Sequence, residues 1–164
     1  MKNTDIQRLC GIFEEIEQLL EQYNDIAEVI MKTESEEAEL LSEKIGERQK
    51  LIEKIDGLRS EAAAILDGSD PYEAQLIRGM LTGDNINQRI SEELLPVRSA
   101  AVNLRSAQSM AAESDRKLQL QFESRLQEAK DQLVQLNNDK KKLDYYSSLN
   151  QSGTYLGGSL DSSF

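Results

Sequence analysis

The apolar positions between residues 4 and 32 recur at alternating spacings of three and four: Ile6, Leu9, Phe13, Ile16, Leu20, Tyr23, Ala27 and Ile30. That rhythm is a coiled-coil seam, and it predicts one helix whose apolar stripe faces a partner. Asn3 or Thr4 is placed to cap it, with Asp5 in the favourable first turn. Glu14, Glu15, Glu17, Glu21, Asp25 and Glu28 fall on the outer faces and solvate the helix.

Thr33-Glu34-Ser35-Glu36 interrupts the rhythm. Thr33 and Ser35 suit caps, and Glu36 and Glu37 suit a first turn, so a second helix is expected over 35–67 after a short connection. Two helices joined so closely form an antiparallel hairpin. Ala38, Leu41, Ile45, Ile52, Ile55 and Ala62 carry the seam of this second arm, and Leu51, Leu58 and Ile65 add a second stripe at seven-residue spacing. The combined face is wider than a two-stranded seam needs, which predicts a third helix or another protein beside it. Arg48 and Arg59 fall at seam-like positions; their stems can bury while their heads reach acids on the first arm.

Asp67-Gly68-Ser69-Asp70-Pro71 is the clearest stop in the chain. Gly68 suits a helix end, and Asp70 followed by Pro71 suits a new start, predicting a short helix over 71–81. Thr82-Gly83-Asp84-Asn85 punctuates again. A long helix over 85–148 follows, with a kink or break at Pro96, which lacks an amide hydrogen and crowds the carbonyl of Glu92. Ser99, Ala100, Ala101, Ser106, Ala107, Ser109, Ala111 and Ala112 then form a small-residue stretch that permits close backbone approach or leaves a shallow groove. The period resumes at Leu118, Phe122, Leu126, Ala129, Leu133, Leu136, Leu143 and Tyr146. Residues 149–164 are rich in Ser and Gly and are expected to form a flexible tail, with Tyr155, Leu156, Leu160 and Phe164 as apolar markers for docking. The reading is an all-α chain: a helical domain over 1–148, built as a long hairpin, a short helix and a long C-terminal helix, with a tail over 149–164.

Composition narrows what such a chain can do. Of its 164 residues 30% are charged and 5% aromatic, and tryptophan is absent. This provides narrow Leu/Ile seams rather than a thick core. The net charge is −11, and residues 1–70 hold 18 acids against 8 bases. An acidic half repels phosphate backbones, so nucleic acid is not an expected partner. Lys140, Lys141 and Lys142 suit the negative end of a helix better than a polyanion site. No apolar run approaches a membrane span, and the single cysteine, Cys10, excludes an intrachain disulfide. The chain is therefore expected in the cytoplasm, and the sequon at Asn150 carries no meaning there.

Histidine is absent. That removes the commonest general base and metal ligand together. Neither a phosphate-binding glycine loop nor a nucleophile elbow occurs. Paired carboxylates such as Glu14/Glu15 and Glu92/Glu93 read as solvated faces. Catalysis, metals and cofactors are not expected. Recognition of another protein's amphipathic helix is. The candidate lining is Leu118, Phe122, Leu126, Leu133 and Leu136, or the stripe Leu51, Leu58 and Ile65; a core role for the same residues stays open.

The run Leu40–Asp56, LLSEKIGERQKLIEKID, resembles the second helix of flagellar export chaperones of the FlgN/FliT type. Leu136–Tyr146, LNNDKKKLDYY, is similar to the lysine-then-tyrosine end of their long last helix, and Thr154-Tyr155 with Gly157-Gly158 to their tail. The resemblance implies a cytoplasmic chaperone that needs no nucleotide. It would hold a hook-associated (junction) or filament-cap protein against premature aggregation and deliver it to the type III export gate. Tyr155 is then the candidate gate contact. ERQKLIEKID leans towards the cap-protein branch, the Tyr/Gly tail towards the junction-protein branch. The short helix 71–81 and Pro96 depart from the pattern. The alternative is a structural coiled-coil adaptor or scaffold that self-associates without a client, and a homodimer is compatible with either reading.

Overall fold

The computed structural model describes residues 1–34, 37–84 and 89–154, the last six of these as backbone alone. Among these residues four α-helices follow one another: α1 (Asn3–Lys32), α2 (Ala38–Asp67), α3 (Pro71–Thr82) and α4 (Leu95–Thr154), with a 3-10 turn at Glu92–Leu94 before α4. No strand occurs among the described residues. The expected all-α architecture is present.

The helix ends show which local signals acted. Asp70 caps α3 as expected, its carboxylate accepting from the amides of Tyr72 at 3.0 Å and Glu73 at 3.2 Å, with Pro71 at the first helical position. Gly83 ends α3 at φ 93°, a left-handed conformation that an L side chain resists. Two expectations are corrected. Neither Asn3 nor Thr4 caps α1; the helix starts at Asn3, and Lys2 precedes it without a side-chain cap. The long helix does not start at 85, and of the kink or break expected at Pro96 the structure shows the break. Residues 89–91 are not helical, and α4 begins at Leu95. In a first turn the missing amide hydrogen of Pro96 costs nothing, because that donor has no intrahelical acceptor.

The chain forms two compact units, Met1–Gln119 and Leu120–Phe164. In the first, α1 is the central element. All eight predicted seam residues are buried, and Ile12 and Leu19 are buried with them. α2 packs antiparallel on α1. Close to their connection Tyr23 meets Arg48, and far from it Arg8 pairs with Glu61 at 2.6 Å. The first part of α4 runs alongside α1 in the same direction: Glu93 and Pro96 lie near Ile6, and Asp115 reaches Tyr23. The passage through α3 returns the chain for this parallel run. Val97, Ala101, Leu104, Ala107 and Ala111 face inward from α4, and Leu76, Ile77 and Met80 of α3 join the same core. The alanines bring the α4 backbone close to α1. Full burial of a side chain such as Phe13 or Ile16 stabilises by about 1.5–3 kcal/mol.

The register of α2 differs from the first-named seam. Leu51, Ile55, Ala62 and Leu66 are buried, and Leu58 and Ile65 pack against the core. Ile45 and Ile52 are exposed. The inward face thus combines Ile55 and Ala62 of the expected seam with Leu51, Leu58 and Ile65 of the added stripe. Arg48, one turn before Leu51, lies on this inward face.

In the second unit α4 continues to Thr154, so residues 149–154 are helical where a tail was expected. Tyr155, Leu156, Leu160 and Phe164 lie outside the described residues. Contacts within this unit include Ser124 with Glu128 and Gln127 with Asp131, each one helical turn apart.

Candidate protein-binding surface

Three helices of the first unit meet at one polar cluster. The Arg48 guanidinium lies 3.6 Å from the centroid of the Tyr23 ring. Its Nη2 donates to Asp115 Oδ1 at 2.6 Å, and the Tyr23 hydroxyl donates to both oxygens of the same carboxylate at 3.0 and 3.1 Å. The sequence placed the Arg48 head against acids of the first arm; it goes instead to an aromatic ring there and to an acid on α4. Arg59 pairs within its own helix, with Asp56 at 3.4 Å. Burial raises the Tyr23 phenol above its ordinary value; the hydrogen bond to Asp115 raises it further, and the charge of Arg48 opposes both. The cluster ties α1, α2 and α4 together. With one acid, one permanent cation and a phenol held protonated, it is a structural pin rather than an acid–base pair.

Beside this pin a groove runs between α2 and α4. One cavity of about 270 Å³ is lined by Leu20, Tyr23, Ile52, Arg59 and Ala112. A second, of about 240 Å³, is lined by Phe13, Ala62, Leu66, Arg78 and Leu104. Arg59 and Gln108 border both. The expectation that the small-residue stretch leaves a shallow groove is met here. A larger open depression, about 720 Å³, has Glu14, Glu92 and Glu93 on its walls with Cys10. Burial and the charge of Glu14 push the Cys10 thiol up. Among the described residues no group of His, Cys, Asp and Glu could hold a metal ion, and no helix is long and apolar enough to cross a membrane.

The candidate client-binding residues divide. Leu51 and Leu118 are buried, at 7% and 5% exposure, and Leu58 and Ile65 are half-buried against the core. Leu118 packs on Ala27 and Ile30. These four hold the first unit together, so their surface reading gives way to the core reading. Phe122, Leu126, Leu133 and Leu136 are exposed, the last three at 57%, 61% and 66%. With Ala129 they make a stripe at spacings of four and three from Phe122 to Leu136, which Leu143 resumes one heptad on, beyond Lys140. Tyr145 and Tyr146 close it with an edge-to-face contact, centroids 6.0 Å apart.

Among the described residues this stripe is left open to solvent. Most helical stability in proteins comes from burying such a face, and a continuous apolar patch marks an interaction site. Ion pairs one turn apart, such as Lys142 with Asp139 at 3.8 Å, supply about 0.2–0.5 kcal/mol each. The periodicity that reveals the stripe was visible in the sequence. The Tyr23–Arg48–Asp115 pin was not, because nothing in the spacing says which acid Arg48 meets. Comparison with protein-family models, curated proteins and solved structures returned no match.

Proposed function

We propose that this chain is a helical client-binding protein, an export chaperone of the FlgN/FliT kind. Its Phe122–Leu143 stripe receives an amphipathic helix of a hook-associated or filament-cap protein. The exposed stripe carries the reading: it is a coiled-coil seam of Leu and Phe, open to solvent, whereas the seam of α1 is buried throughout. A client helix laid along it buries apolar surface on both partners, and the flanking Lys130, Asp139 and Asp144 set its direction. Holding a client in this way shields its apolar face from aggregation and requires no nucleotide. The family resemblance supplies the class of client, the cytoplasmic setting and Tyr155 as the contact for the export gate.

Titration calorimetry against purified hook-associated and cap proteins tests this. Binding by one of them, lost in Leu126→Glu/Leu133→Glu with helix content unchanged, is the expected result. Absence of binding by every such protein at micromolar concentration overturns the assignment of client. The same sustained rhythm also favours a second reading, a coiled-coil adaptor that assembles through the stripe and takes no client.

A further inference from the structure

We infer that in the absence of any other protein the exposed stripe of the second unit pairs with the same stripe of a second copy, and that the two helices run antiparallel with Leu126 against Leu143. The layout of large and small residues along the stripe points to this occupant. In heptad terms Leu126, Leu133, Lys140 and Ser147 occupy the first core position, and Phe122, Ala129, Leu136 and Leu143 the second. All eight are exposed or lie on the solvent face.

Antiparallel pairing sets each first-position residue against a second-position residue of the other copy. At full overlap Leu126 meets Leu143 and Leu133 meets Leu136. Lys140 meets Ala129 and Ser147 meets Phe122. Every leucine finds a leucine, and each remaining layer sets a long side chain against a short one. Such alternation fills a core without voids. Opposite Ala129 the Lys140 stem has room to lie flat while its ammonium reaches water. A shift of one heptad either way sets Leu143 against Gln119 or Leu126 against Asn150, and loses a leucine layer.

Parallel pairing in register fails on the same residues. It stacks Lys140 on Lys140 inside the core and Ala129 on Ala129 over a void. On the flanks it brings Arg125 to Lys130 and Asp139 to Asp144, two repulsive pairs that the symmetry repeats. The antiparallel arrangement has a single type of like-charge contact, Glu123 with Asp144, at its solvated ends. It brings Arg125 to Tyr146, a favourable cation–ring pair.

The inference does not depend on the client reading, although a client would compete for the same stripe. Its test uses the full chain alone. Light scattering after size exclusion should give a dimer at micromolar concentration, and Leu133→Glu/Leu136→Glu should give a monomer of unchanged helix content. Spin labels at Gln127→Cys, Val134→Cys and Lys141→Cys, each in a Cys10→Ser background, read the direction. All three sites occupy the same heptad position. Antiparallel pairing separates the two labels along the axis by about 22 Å at 127, about 2 Å at 134 and about 20 Å at 141, at 1.5 Å per residue. Equal separations at the three sites would mean parallel pairing and overturn the inference. So would a monomer throughout the micromolar range, or a dimer that survives the double glutamate variant. Each of those outcomes leaves the client reading standing, since no client is present.

Discussion

Arg48 lies face-on to Tyr23, its guanidinium carbon 3.6 Å from the ring centroid, and both side chains end on the one carboxylate of Asp115. Three helices are thereby joined through a single acid. Arg48 is 13% exposed and Asp115 50%, so the ring contact lies inside the bundle and the ion pair at its edge. A desolvated cation–ring contact contributes up to about 2 kcal/mol, whereas a half-exposed ion pair contributes about 0–1 kcal/mol. The ring, more than the acid, holds the arginine.

That ranking gives a first prediction. Arg48→Ala should lower the unfolding free energy by about 2–3 kcal/mol, from the lost ring contact and the lost packing of its stem. Asp115→Asn should lower it by about 1 kcal/mol or less. Urea unfolding of the two variants measures the difference. Equal losses would show that the ion pair, not the ring, is the anchor.

Tyr23 also gives the bundle a dependence on alkaline pH. Its phenol is raised above the ordinary value of 10.0, chiefly by burial and then by Asp115. A group whose folded pKa exceeds its unfolded one contributes stability that is complete below the unfolded value and lost as pH rises through the folded one. Stability should therefore fall above pH 10, and Tyr23→Phe should flatten that fall. Urea midpoints from pH 8 to 11 compare the two proteins; an unchanged slope would assign the loss to other groups.

Leu118 and Leu133 belong to one helix and one apolar rhythm, yet should respond oppositely to truncation. Leu118→Ala opens a cavity against Ala27 and Ile30 and should cost about 2–5 kcal/mol. Leu133→Ala removes a side chain already 61% exposed and should change the unfolding of the first unit by about 0.5 kcal/mol or less. Chemical unfolding followed by circular dichroism separates them, at a protein concentration low enough to suppress self-association.

The turn after α3 supplies a backbone test. Gly83 has φ 93°, and a Cβ there would stand 2.4 Å from the Arg105 guanidinium. That guanidinium is the far end of a flexible chain and can swing aside, so the left-handed backbone carries most of the penalty. Gly83→Ala should cost about 1–2 kcal/mol, in line with the strain of a left-handed non-glycine residue. Asp70→Ala, removing the cap at the other end of the same helix, should cost about 1 kcal/mol. Thermal unfolding of both variants and of the pair checks the values and their additivity.

Local signals in the sequence determined the elements. The seam from Ile6 to Ile30 is buried at every position named, and Asp70 and Pro71 start α3 where their chemistry requires. These depend on backbone period, caps and turn residues, which act within a few positions. Two decisions belonged to the tertiary structure. On α2 the packing against α1 and α4 drew its buried face from both apolar stripes, Leu51 from one and Ile55 and Ala62 from the other, leaving Ile45 and Ile52 outside. On α4 an unbroken rhythm runs from Leu118 to Leu136, and its local pattern does not say where burial stops. It stops after Leu118, the last α4 residue packed on Ala27 and Ile30. Periodicity tells a helix which face is apolar; only the presence of a neighbour decides whether that face is a core or a binding surface.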